Sequence, residues 1–148
     1  MSTATTTASP YATPASTGTM QDITALVGRI LIATLFVPAG FGKLTGFAGT
    51  VGYITSAGLP LPTLAAAIAV FCELGLGLAL LVGFKARTAA FLLALFTIAT
   101  ALGFHHYWDM AADKVAMNQL NFFKNMAIAG GLFAFASFGA GRFGIDRR

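Results

Sequence analysis

The chain has 148 residues, of which 57% are hydrophobic and only 9% charged, with a formal net charge of +4 and a mean hydropathy of +0.79. A soluble domain of this length needs far more polar surface to cover its core, and roughly a quarter of its residues would be charged, so the composition describes an integral membrane protein. The positive charges form no phosphate-binding stripe, which excludes a nucleic-acid partner, and a single cysteine, Cys72, excludes a disulfide scaffold.

Residues 1–22 are rich in Ser, Thr, Ala and Pro, with Asp22 as their one charge. Such a segment has too little apolar bulk to offset the entropy of ordering and reads as a disordered tail. It lacks the basic leader and apolar stretch of a signal peptide; the next segment can serve as an uncleaved start-transfer helix. Four apolar spans follow, at about 23–44, 61–84, 88–108 and 119–138. Each has the roughly 20 residues that a helix needs to cross a hydrocarbon core, and backbone groups in lipid must be satisfied within the segment. The expected fold is therefore all-α, a polytopic membrane four-helix bundle over residues 23–145 followed by a basic C-terminus at 146–148. Between the first two spans, Phe47, Val51 and Ile54 recur at i, i+4 and i+7, which predicts a short interfacial helix. Pairs of small residues four apart (Ala65 and Ala69, Gly75 and Ala79, Ala127 and Gly131), with Gly77 and Gly130, predict close helix packing.

Orientation follows from the lysines and arginines. With four spans, one side holds Lys85, Arg87, Arg142, Arg147 and Arg148, with Arg29 close by, while the other holds Lys43, Lys114 and Lys124. The first side is expected to face the cytoplasm, with both termini inside. Arg29, Lys43 and Arg87 are then structural or topology-setting residues.

Ionisable residues within a span are costly and face the bundle interior or a wet cavity. Glu73 is the sole charge of the second span and must be protonated or paired. Arg29 and Lys124 are the cations considered as its partners, if the helix faces meet; alternatively Glu73 only ties helices together, and Arg29 and Lys124 reach toward the membrane surfaces. Asn118, Asn121, Lys124 and Asn125 form a polar stripe on one face of the fourth span, expected to look into a pocket in the outer half, although interhelical hydrogen bonding would also explain it. His105 is expected to serve that pocket as a hydrogen-bond donor or proton relay, and His106 to join an aromatic belt with Trp108. The candidate ligand-binding residues are thus Glu73, His105, Asn121, Lys124 and Asn125. No ligand spacing suggests a metal, no Cys-x-x-Cys pair supports thiol exchange, and no phosphate-cradling loop is present.

Several short motifs, taken in order, carry a family likeness: Gly28-Arg29, Gly40-x-x-Lys43-Leu44, Ala57-Gly58-Leu59-Pro60, Glu73-Leu74-Gly75-x-Gly77, Arg87, Phe104-His105-x-x-Trp108 and Asn118-Gln119-Leu120-x-Phe122-x-Lys124-Asn125. The series resembles the DoxX family of small four-helix bacterial membrane proteins, over about residues 23–145. The resemblance implies a multi-pass protein of the bacterial inner membrane, linked to terminal oxidases, thiosulfate:quinone oxidoreduction or thiol-stress systems. The leading expectation is accordingly a small subunit of a membrane redox system that binds a quinone or similar lipophilic molecule, with no covalently bound cofactor. The bilayer surrounds it, and a protein partner or a second copy is expected beside it. The competing readings are a non-catalytic scaffold that docks a partner, and a small proton-coupled transporter.

Overall fold

In a computed structural model, which describes residues 18–146, the chain is built from helices. We name them α1 (Gly18–Thr45), α2 (Phe47–Ser56), α3 (Pro62–Val82), α4 (Ala86–Phe104) and α5 (Ala112–Phe138). A single 3₁₀ turn, Tyr107–Asp109, separates the last two. Helices α1, α3 and α4 (the last counted with the 3₁₀ turn) have the length and hydropathy of membrane spans. α5 is also long enough, but Asn118, Gln119, Asn121, Lys124 and Asn125 reduce its apolarity. It nevertheless runs antiparallel along α4, with His105 against Asn118 at one end and Phe91 against Phe133 toward the other, so it covers the same height.

The polarity is that of a protein in lipid. Leu31, Phe41, Leu64, Phe71, Leu95, Leu102 and Leu120 point outward, whereas Arg29, Glu73 and Thr97 are buried. Ala90, Leu93 and Ala94 of α4 pack with Leu80 of α3 and Leu132 of α5 in the centre.

The helices differ from the expected spans at their ends. α1 begins at Gly18, so residues 18–22 are helical rather than part of a tail. Asp22 anchors this first turn, accepting from the Arg142 backbone N–H at 2.8 Å and from its Nε at 2.9 Å. Residues 1–17 and Arg147 and Arg148 lie outside the described residues. α4 stops at Phe104 because the backbone leaves the helix at His105 (φ −126°), and α5 starts at Ala112, where Asp113 in the first turn favours the positive end of the helix dipole. The short helix expected after the first span forms as α2, with Ile54 buried and Phe47 and Val51 half-buried on the same face.

α3 changes geometry at its middle. Residues Phe71–Leu76 form a π-helical segment, which widens the helix locally and is a recurrent mark of functional positions. Cys72 and Glu73 are both buried there. α1 lies directly on this segment. A Cβ on Gly40 would overlap the backbone of Leu74 and come within 2.9 Å of the Glu73 carbonyl carbon. One turn further along α3, a Cβ already present at Phe36 comes within 3.3 Å of the position that a Cβ on Gly77 would take. Two glycines thus let the two backbones touch. The pair Ala127 and Gly131, expected to pack, lies exposed instead, and Gly130 and Gly131 have open space around them. α5 buries Ala129 and Leu132 on another side of the helix.

The end carrying both described termini is closed by residues 139–146. Arg29 is completely buried there and donates to the carbonyls of Leu81 at 3.2 Å and Phe143 at 2.9 Å. It therefore neither reaches Glu73 nor runs out to the surface: it satisfies a carbonyl in the last turn of α3, where a cation is favoured. The backbone N–H of Ile145 donates to Val82 at 3.0 Å, and the N–H of Lys85 to the Asp146 carboxylate. These bonds hold Lys85 in the left-handed region (φ 42°) at the start of α4. Arg87 is exposed in that first turn.

The Gly40 contact can be tested by substitution. Gly40→Ala should lower the thermal unfolding midpoint in detergent, at a cost of about 1–3 kcal/mol for an overpacked contact. Gly42→Ala, where a Cβ meets nothing within 4 Å, should be neutral or stabilising by helix propensity.

Candidate functional site

The consequence of the Gly40 contact appears one turn along α1. Gly40 and Lys43 share a face, and the close approach lets the Lys43 Nζ donate to Glu73 Oε2 at 2.7 Å. Glu73 sits eleven residues into α3, about 16 Å from its start, so the pair lies deep in the fold although Lys43 is only two residues from the end of α1. The Glu73 side chain is 11% exposed and that of Lys43 is 34% exposed. The carboxylate is the more enclosed partner, and the amine keeps an open side.

That side is a cavity of about 450 Å³, within the size range of small-molecule sites. Lys43 and Glu73 line it together with Ala39 of α1, Ala65 and Ala69 of α3, Thr97 and Thr100 of α4 and Asn125 of α5. α2 contributes Thr50, Tyr53 and Ile54, and Tyr53 stacks on Phe104 with ring centroids 5.4 Å apart and planes 11° apart. The short helix is therefore a roof joined to the end of α4. Most of the wall is apolar, and the few polar groups converge from all five helices.

His105 lines the same cavity. Its Nδ1 lies 3.0 Å from the Asn118 Oδ1, while the Asn118 Nδ2 donates to the Lys114 carbonyl at 3.0 Å. The second bond fixes which end of the amide faces the ring, so His105 Nδ1 is the donor. A neutral His105 then keeps Nε2 as an acceptor, suited to a hydroxyl, and becomes a double donor only when protonated.

The remaining predicted residues are placed elsewhere. Lys124 is exposed and donates to Asn121 Oδ1 at 2.9 Å, one turn toward the start of α5; neither lines the cavity. Of the polar stripe, Asn125 faces the cavity and Asn118 orients His105. Beyond α4, Tyr107, Trp108 and Phe122 form an edge-to-face cluster with centroids 5.4–5.7 Å apart, and His106 lies 3.6 Å from Asp109 at the rim. The residue that sequence reasoning placed apart from the site is Lys43, read as a topology marker at the edge of a span. Its signal was the Gly40-x-x-Lys43 spacing, which puts a small residue and a cation one turn apart on one helix face.

The DoxX family model matches residues 24–106, from α1 through α4. The chain belongs to the DoxX family. It is 42% identical over 131 residues to the inner membrane protein YphA of Escherichia coli K12, covering 88% of this chain and 94% of the relative. It is 43% identical, also over 131 residues, to the inner membrane protein YqjF of the same organism, covering 86% and 93%. No solved structure matches the chain. With its apolar helices, this DoxX protein is a multi-pass protein of the bacterial inner membrane.

In this DoxX protein the ion pair can be weighed by removing one partner and then both. Lys43→Met leaves a buried carboxylate uncompensated and should cost about 2 kcal/mol of stability. Lys43→Met with Glu73→Met replaces the pair by apolar groups and should recover most of that loss in thermal unfolding. A double variant as unstable as the single one would mean that the pair is needed to hold the helices.

Proposed function

We propose that the chain binds a quinone, or a similar lipophilic molecule with a carbonyl or hydroxyl head, in the cavity beside Lys43 and Glu73, and that it does so as a small subunit of a membrane redox system. The observation that carries this reading is the convergence of a donor, Lys43, and an acceptor, Glu73, on one wall of a largely apolar cavity. Such a wall offers a hydrogen bond to a carbonyl from Lys43 and accepts one from a hydroxyl at Glu73. His105 and Asn125 add polar partners, and the aromatic and aliphatic walls suit an uncharged ring. Electron transfer in this reading belongs to a partner protein that carries the redox centre; the chain binds and orients the ligand.

Cation donation to a carbonyl falls to Lys43 in this reading, because Lys124 points away from the cavity. The competing reading, in which the pair only fixes helix geometry, predicts that binding tracks stability. The double variant Lys43→Met with Glu73→Met separates the two. Titrated with a tail-less dimethoxy-methyl-benzoquinone, it should bind at least roughly tenfold more weakly than the wild type, as expected when one charge-assisted hydrogen bond of about 1.5–3 kcal/mol, from Lys43 to a quinone carbonyl, is lost, while unfolding near the wild-type temperature. Equal binding by the stable double variant would remove Lys43 and Glu73 from the site.

A further inference from the structure

One face of α1 behaves differently at its two ends. Gly28, Leu35 and Ala39 are spaced i, i+7 and i+11, so they project to the same side. At Gly28 that side is closed: a Cβ there would come within 2.6 Å of the Phe135 ring of α5. Two turns along, Leu35 lines the cavity and is nevertheless 48% exposed. α1 makes its extensive contacts with α3, and α5 makes its own with α4, so above the Gly28–Phe135 contact α1 and α5 part. Pro38 lies between Leu35 and Ala39 and takes one backbone hydrogen bond out of α1 at the level where the helices diverge. The other wall of the parting is Asn125 of α5, followed on that helix by the apolar Met126, Ile128 and Ala129.

A cavity roofed by α2 near its polar groups, and flanked at Leu35 by a half-exposed apolar side between two helices, is reached from the hydrocarbon rather than from water. We infer that the ligand of this cavity is a long-chain amphiphile that enters sideways from the bilayer. Its head lies at Lys43 and Glu73, and its tail leaves through the cleft between α1 and α5 past Leu35 and Ala39. This rests on the reading of the cavity as a ligand site and adds the class of ligand and its route. The tail is part of what is recognised, because it covers Leu35 and the α5 wall that otherwise face lipid. A head without a tail loses that contact.

The test compares two probes, the tail-less dimethoxy-methyl-benzoquinone and the same head with a decyl tail, titrated into the full chain in detergent with correction for partition into the micelle. With both affinities referred to free aqueous probe, the wild type should bind the tailed probe at least roughly tenfold more tightly, a difference that transfer of two or three methylenes from water into the cleft supplies. Leu35→Trp narrows the cleft at a position already exposed, and should cut that preference to below about twofold while the tail-less probe still binds. Leu35→Ala keeps the cleft open but removes part of the surface that the tail covers, and should retain a preference between those of the wild type and Leu35→Trp. A wild type that binds both probes alike, as when the cleft only accommodates a bilayer lipid chain, overturns the inference and leaves the cavity site standing. So does a Leu35→Trp protein that retains the full preference or loses both probes together. Binding of neither probe by the wild type overturns the cavity site as well.

Discussion

Gly40 lets α1 rest on the backbone of α3 at Glu73 and Leu74, and the surroundings of the cavity are built outward from that contact. The Lys43–Glu73 bond forms beside this contact, and without a partner each charge would face lipid or neighbouring apolar residues alone. The close approach resolves both costs together. The contact falls on the π-helical segment of α3, and Gly77 extends it by one turn. α1 packs along α3 and meets α5 at Gly28 and Phe135, above which the two helices part.

The opposite end of the molecule uses its charges differently. Arg29 is as buried as any residue in the chain, yet its partners are carbonyls of Leu81 and Phe143. It ties the end of α3 to residues 139–146, and Asp22 adds a second tie through Arg142. This end is a packed closure, with hydrogen bonds satisfying helix termini that would otherwise be orphaned. The two cations of α1 thus differ: buried Arg29 fastens chain segments, and half-buried Lys43 faces a cavity.

Much of the fold was legible because its signals are additive over many residues. Apolar runs of about twenty residues, prolines at 60 and 62 and the i, i+4, i+7 pattern at 47–54 gave the helices and their order, and the quoted motifs gave the family. Helix ends were less legible, since Gly18–Asp22 is ordered by Arg142, about 120 residues away, and no local pattern encodes that. The site was half legible. Glu73, His105 and Asn125 stood out as polar groups among apolar ones, and all three line the cavity. Lys124 and Asn121 stood out for the same reason but turn away, because helical periodicity says which residues share a face and not which way that face points. Lys43 was misread because its depth was counted from the end of its own span. α3 begins about 16 Å before Glu73, and the π-helical segment that holds Glu73 has no sequence signature.

The central claim is that Lys43 and Glu73 form a direct ion pair on the wall of an occupied site. Solid-state NMR of the full chain in bilayers, with the lysine side-chain nitrogens and glutamate side-chain carbons labelled, measures it most directly. Glu73 is the chain's only glutamate, so a lysine–glutamate dipolar contact involves its carboxylate, and its disappearance in Lys43→Met assigns it to Lys43 among the four lysines. The account predicts such a contact in the ligand-free protein, and a shift of both resonances when decyl-benzoquinone is added to the bilayer. The absence of the contact, or resonances that stay fixed while the probe binds, would contradict it.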